Sequence, residues 1–286
     1  MREIIMAPER LEYTFDPVIP AQGILFCHGK PTTFKTHLGL TMSACLVHGG
    51  TLFGRYPTKL STVAYIQADT PYGIQRKRLC VADKILPLDY IHYYHTQTFN
   101  MLKMKHQDDF LGPIVDKEPD FVVWDTLRKI SRAASNDDDV PSLIYGTAHE
   151  LFPDATHMFI HHDKKTVVDQ DKLDKSEEFR GSGAWLADSD TTIHLTKASE
   201  YQIIVEFTKV RTCGPQDPIR LTLDPKEMFL SARGNPEPLV QEWWRDHPNG
   251  TEDQLYQYLM ASFACTSRSV ARFAYEGDLD KCRQHQ

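Results

Sequence analysis

The sequence has no long apolar run, no closely paired cysteines and no excess of basic charge, and each absence closes off a class of protein. No stretch approaches the ~20 apolar residues a membrane span needs, and the charged start MREIIMAPERLEYTFD lacks the apolar segment of a signal peptide. The six cysteines (Cys27, Cys45, Cys80, Cys213, Cys265, Cys282) form no C-x-x-C pair. Free thiols in a reducing cytoplasm are therefore expected, rather than bridges or a structural zinc site. A net charge of −7 argues against a protein that coats nucleic acid with a broad basic face, while leaving room for a local basic lining. The expectation is a cytoplasmic chain with no membrane contact.

What is present suits an α/β protein. At 286 residues the chain can hold one large domain and a small appendage. GILFCHG (23–29) is a short apolar run ending in glycine, and THLGLTMSACLVHGG after it reads as a helix stopped by Gly49 and Gly50. STVAYIQAD (61–69), YIHYYH (90–95), DFVVWDT (120–126) and THMFIHH (156–162) are further strand candidates. YGIQRKRLCVADKI and VPSLIYGTAHELF (140–152) read as helices between them. This alternation predicts a mostly parallel central sheet covered on both faces. DTTIHLTK, YQIIVEFTKVR and PIRLTLDP then alternate with period 2, as antiparallel edge strands would.

The reading divides the chain into an N-terminal arm (1–22), a nucleotide-binding core (23–230) and a small C-terminal helical unit (231–286). In the last, Thr251 and Gln254 form a capping box ahead of EDQLYQYLMASFA, and Thr266 stands as N-cap of SRSVARFAYEG. Two short helices in this arrangement read either as a helix-turn-helix or winged-helix-like unit, or as a helical tail packed on the core.

The chemistry starts at GKPTTFKT (29–36). Gly29, Lys35 and Thr36 match G-x-x-x-x-G-K-[ST], a loop whose backbone N–H groups cradle phosphates, but Phe34 stands at the second glycine. On this reading Gly29, Lys30, Pro31, Thr32, Thr33, Phe34, Lys35 and Thr36 form the ATP-binding loop. Lys35 meets the β- and γ-phosphates, Thr36 meets Mg²⁺, and Phe34 must turn its ring away from them. FVVWD (121–125) delivers Asp125 at the end of a buried strand, where ligands of open α/β sheets bind, and supplies a second hold on Mg²⁺. ATP and Mg²⁺ are the cofactors this pairing requires.

Taken in order, GKPTTFKT, VAYIQAD, FVVWDTLRKIS, FIHH, RGSGAW and FTKVR resemble the successive motifs of RecA-fold ATPases of the hexameric helicase type. The likeness is greatest to the plasmid RepA replicative helicases and their phage and mobile-element relatives. It covers about residues 20–230. Loops of the form G-x-P-x-[ST]-F-K-[ST] are familiar in that group, which accommodates Phe34.

The resemblance implies a RecA-like P-loop NTPase core and assigns further roles. Asp69 takes the place of the family's catalytic Glu, one methylene shorter, with a turn-forming Asp before Thr70-Pro71 as the plainer reading. His162 would sense the γ-phosphate. Lys209 and Arg211 match a K-x-R element that reaches the nucleotide of a neighbouring subunit, and Arg180 is a second finger candidate. Strand spacing (i, i+2) puts Lys209 and Arg211 on one face. Candidate DNA contacts are Arg128, Lys129 and Arg132 in one loop, and Lys164, Lys165, Lys172 and Lys175 in another.

The implied activity is an ATP-driven, ring-forming, hexameric helicase moving on single-stranded DNA during replication of a plasmid, phage or other mobile element. The core begins near the first residue, so the expectation is a helicase without the N-terminal collar of DnaB-type proteins. It would then depend on a primase, initiator or loader protein. The alternative is a nucleotide-switched DNA-binding regulator with slow hydrolysis. Asp69 favours the regulator; Lys209 and Arg211 favour the motor.

Overall fold

The computed structural model describes residues 11–131, 139–163, 183–223, 225–226, 228–232 and 237–263. The central sheet has nine strands: β3 (Ile24–Gly29), β6 (Val63–Gln67), β7 (Ile91–His95), β8 (Phe121–Asp125), β9 (Thr156–His162), β10 (Thr191–Lys197), β11 (Gln202–Val210), β12 (Ile219–Leu223) and β13 (Leu230–Ala232). Their order is β13-β12-β11-β10-β3-β9-β8-β6-β7. The run from β10 to β7 is parallel, and β11, β12 and β13 extend it antiparallel at one edge.

This corrects one expectation. DTTIHLTK is not an antiparallel edge strand: β10 runs parallel to β3 and is buried over residues 191–195. Its alternating polar residues mimic a half-solvated strand because their partners are remote. Thr192 bonds the Ser189 hydroxyl at 2.8 Å and His194 meets Asp163. A buried polar group with such a partner loses little by leaving water.

Strands of the parallel run are apolar almost throughout because helices cover both faces. On one face Leu25, Cys27, Val63 and Tyr65 pack with Leu38, Met42 and Cys45 of α1 (Lys35–Val47). On the other, Phe26, Ile66, Trp124 and Phe159 pack with Ile144 and Tyr145 of α4 (Asp139–Leu151) and Trp185 of α5 (Ala184–Asp188). Between these lie α2 (Tyr72–Ala82) after β6, and α3 (Leu127–Ser131) after β8. Gly49, at φ 60°, stops α1 in the left-handed conformation glycine adopts most easily.

Before the sheet, β1 (Tyr13–Phe15) and β2 (Ile19–Pro20) pair as a small hairpin whose Phe15, Val18 and Ile19 are buried in the α1-side core. A second small hairpin, β4 (Thr51–Leu52) with β5 (Tyr56–Pro57), follows α1.

After the sheet, α6 (Glu237–Asp246) and α7 (Glu252–Phe263) share a cluster of Val240, Trp243, Trp244, Leu255 and Leu259. The capping box closes reciprocally: Thr251 N–H donates to Gln254 Oε1 at 2.9 Å, and Gln254 N–H to Thr251 Oγ1 at 3.3 Å. α7 docks on β4, where Thr51 N–H donates to the Ser262 hydroxyl at 2.8 Å. SRSVARFAYEG lies outside the described residues. No helix among the described residues is long and apolar enough to cross a membrane.

Candidate active site

The octapeptide GKPTTFKT links the end of β3 to α1. Gly29 is required by packing: a Cβ there would lie 2.6 Å from the Leu195 carbonyl oxygen and 2.8 Å from Thr33 Oγ1. Gly29→Ala is expected to lower unfolding stability by about 1–3 kcal/mol through overpacking, read by chemical denaturation without nucleotide. An unchanged midpoint would show that β10 can yield.

Thr32 (φ 70°) and Phe34 (φ 59°) both take the left-handed conformation, costing roughly 1–2 kcal/mol each for a residue with a Cβ. The Phe34 ring recovers part of this by packing. It meets His37 edge-on with centroids 5.7 Å apart, and the Lys197 ammonium sits 3.8 Å from its centroid. Lys197 also donates to the Thr32 carbonyl at 3.3 Å. Phe34 thus points to the β10 side, as the motif demands, and α1 begins with no acidic residue in its first turn to oppose an anion.

Lys35 is buried, and its ammonium donates to the carbonyls of Gly29 and Lys30, both at 2.7 Å, and to Thr33 Oγ1 at 3.3 Å. Burial weakens its hold on the proton. Asp125 lies across the cleft, fully buried at the end of β8. Its Oδ2 accepts from Tyr65 hydroxyl at 2.9 Å and from Gln67 Nε2 at 2.7 Å, while Oδ1 is buried without a hydrogen-bond partner. Burial raises its carboxyl above the ordinary range, with Thr36, Tyr65 and Gln67 pulling it back. A hard divalent cation takes oxygen ligands, and the unsatisfied Oδ1 facing Thr36 suits one.

A cleft of about 310 Å³ is lined by Lys35, Thr36, Asp69, Arg78, Asp125 and His162. Five candidates drawn from four separate stretches of sequence therefore meet at one place. His162 Nε2 lies 3.6 Å from Asp69 Oδ2, and each side chain keeps about a third of its surface in solvent (35% and 37%). Hydrogen bonding from His162 holds Asp69 below the usual carboxylate range, against the effect of burial. Strand alternation separates the two histidines: His161 packs on Phe26 on the other face, at 6.0 Å.

Two participants escaped the sequence reading. Gln67 bridges the two acids: its Nε2 holds Asp125, and its Oε1 accepts from the backbone N–H of Asp69 at 2.7 Å and Thr70 at 3.1 Å. A polar residue closing the apolar run VAYIQ was the available signal. Arg78 reaches the cleft from α2 and lowers the proton affinity of His37, second to burial, to a pKa of about 4.

Other candidates lie elsewhere. β11 ends at Val210, so Arg211 follows the strand instead of sharing its face with Lys209. The two cations nevertheless converge on one segment. Lys209 donates to the carbonyls of Leu186, Ala187 and Ser189 at 2.9, 2.7 and 2.5 Å. Arg211 donates to Asp190 Oδ1 and the Ala187 carbonyl, both at 3.0 Å. Lys209 pairs with Thr192, which pairs with Phe26, three residues before Gly29. At about 3.3 Å per residue the pair sits ~10 Å back along the strands from the cleft. Arg128 and Lys129 are exposed on α3 just beyond Asp125. Lys30, Pro31 and Thr32 form the outer arc of the loop. Arg132, Lys164, Lys165, Lys172, Lys175 and Arg180 lie outside the described residues.

Comparison with solved structures gives the fold. The ATPase domain of a DnaB-like replicative helicase, the gene-40 product, superposes with a TM-score of 0.59 over 82% of this chain and 95% of that one, at 16% identity. A second DnaB-like replicative helicase, solved for its interactions with primase, gives a TM-score of 0.55 at 16% identity. That match covers 73% of this chain and 57% of the helicase chain. No curated protein matches by sequence. The fold is thus the RecA-like one seen in DnaB-type helicase ATPase domains. A family model described as an AAA domain matches residues 1–167, more than half of the chain, and the chain belongs to that family.

Proposed function

We propose that the chain is an ATP-driven, ring-forming helicase or translocase acting on single-stranded DNA, of the RepA-like type that serves a plasmid, phage or other mobile element. In this reading residues 29–36 cradle MgATP, Lys35 contacts the β- and γ-phosphates, and Thr36 and Asp125 hold Mg²⁺. Asp69 orients the attacking water and His162 senses the γ-phosphate through it. Lys209 and Arg211, with Arg180 as a further finger candidate, serve the nucleotide of the next subunit in a hexamer. Arg128, Lys129, Arg132, Lys164, Lys165, Lys172 and Lys175 track the DNA backbone. The core spans 23–230, and the helical unit 231–286 meets a primase, initiator or loader protein.

The observation that carries this is the separation of the Lys209–Arg211 pair from the cleft in its own chain. The cleft assembles binding and water-orienting groups, while the finger-type cations point elsewhere. The test is steady-state ATPase activity with and without single-stranded DNA across protein concentration. DNA stimulation that grows with assembly is expected. A protein that binds ATP yet turns over no faster with DNA is instead a nucleotide-switched DNA-binding regulator, the reading favoured by the short Asp69 side chain and its engagement by His162.

A further inference from the structure

On the face of the sheet away from α1, the ends of three neighbouring strands meet at one carboxylate. Asp163 directly follows β9, and it, His28 and His194 are each at most 2% exposed. Asp163 Oδ1 lies 2.8 Å from His28 Nδ1 and Oδ2 lies 3.3 Å from His194 Nε2, while the two rings stack with centroids 4.7 Å apart. These are the donor types of a metal site. A tetrahedral site with bonds of about 2.0–2.1 Å has edges of about 3.3 Å, however, so the His28–Asp163 contact is a hydrogen bond between the groups themselves.

A further bond joins this cluster to the nucleotide loop. Asp163 N–H donates to the Gly29 carbonyl at 3.1 Å, the same oxygen that accepts from the Lys35 ammonium at 2.7 Å. Asp163 thus stands between His162, which faces Asp69 in the cleft, and Lys164 and Lys165, candidate DNA contacts in the sequence. Its carboxyl stays below the usual range because the hydrogen bonds from His194 and His28 outweigh burial.

We propose that Asp163 is a positioning residue that couples nucleotide occupancy to DNA affinity, by clamping the end of β9 to the Gly29 carbonyl, to His28 and to His194. Resting on the proposed helicase function, the mechanism is a change of partners. When Lys35 turns to a phosphate, the Gly29 carbonyl keeps the Asp163 N–H as its partner, and that peptide and the end of β9 move together. His194 anchors the other side of the clamp on β10, the strand paired with β11 and Lys209.

The test compares the affinity of labelled oligo-dT for the full chain with ADP and with a non-hydrolysable ATP analogue. Wild type, Asp163→Asn, Asp163→Ala and His194→Phe are measured, with fluorescent-nucleotide affinity and melting in parallel. Wild type is expected to show a ratio of about fivefold or more between the two nucleotide states. Asp163→Asn keeps most of that ratio, since an amide holds both histidines once one takes its other tautomer. Asp163→Ala and His194→Phe bring the ratio close to one with nucleotide affinity retained. His194→Phe preserves the ring stack and decides the matter if Asp163→Ala fails to fold.

An unchanged ratio in folded variants overturns the clamp alone, as does a tenfold loss of nucleotide affinity, which would make the cluster a mere support of the loop. A wild type whose DNA affinity ignores nucleotide overturns the clamp and the motor reading together.

Discussion

Replacing Arg211 with alanine is expected to slow ATP turnover in the assembled protein by about 10³–10⁵-fold while leaving nucleotide affinity nearly unchanged, the range for loss of an arginine finger. The geometry makes this more than a generic expectation. Arg211 lies at the far end of the strands from its own cleft, with its guanidinium on Asp190 and the Ala187 carbonyl. It is half exposed (52%), so its ion pair contributes at most about 1 kcal/mol and the variant should melt normally. Mixing supplies the decisive control. Lys35→Ala subunits lack a working cleft but keep Arg211, and Arg211→Ala subunits the reverse. An equal mixture of these two inactive proteins should recover activity, since roughly a quarter of randomly formed junctions pair an intact cleft with an intact finger. No recovery in verified mixed assemblies would refute action in trans.

Asp125→Asn should move stability and activity in opposite directions. Folded Asp125 holds its proton more tightly than the same residue in the unfolded chain. The folded state is therefore favoured below the ordinary carboxylate range and loses that advantage as pH rises through the raised pKa. Asparagine keeps an oxygen for Tyr65 and Gln67 and turns an N–H toward Thr36. Without nucleotide at neutral pH, removing the buried charge should stabilise by about 1–3 kcal/mol. That corresponds to a melting rise of about 2–4 °C per kcal/mol. The gain should vanish below about pH 4, where the native carboxyl is already protonated. Turnover should fall to background, because an amide is a poor partner for Mg²⁺. A variant melting below wild type at neutral pH would show that ionised Asp125 imposes no cost.

The parallel sheet was legible because strands buried on both faces must read as apolar runs: FVVWD and VAYIQ declare themselves. The phosphate loop was legible because its residues are contiguous. Less of the rest was, for one physical reason, which is that its partners are far apart in sequence. Gln67 takes its meaning from Asp125, 58 positions away. Phe34 looked like a defect until Lys197 and His37 were placed around its ring. β10 passed for an edge strand because Ser189 and Asp163, which let its polar side chains stay buried, leave no trace in its periodicity. Arg211 left the face of Lys209 because Asp190 draws both its backbone N–H and its side chain.

The self-contained bonding of Lys35 bears on how quickly a nucleotide can leave. Stripping a buried ammonium of its acceptors is costly, and a loop with nothing to offer would make every departing phosphate cross that barrier. Here Gly29, Lys30 and Thr33 stand ready within 3.3 Å to take the ammonium over. In the proposed cycle the phosphate is exchanged for carbonyls rather than for a void. Ground-state affinity is thereby moderated and product escape quickened, as a machine that must empty its site on every step requires.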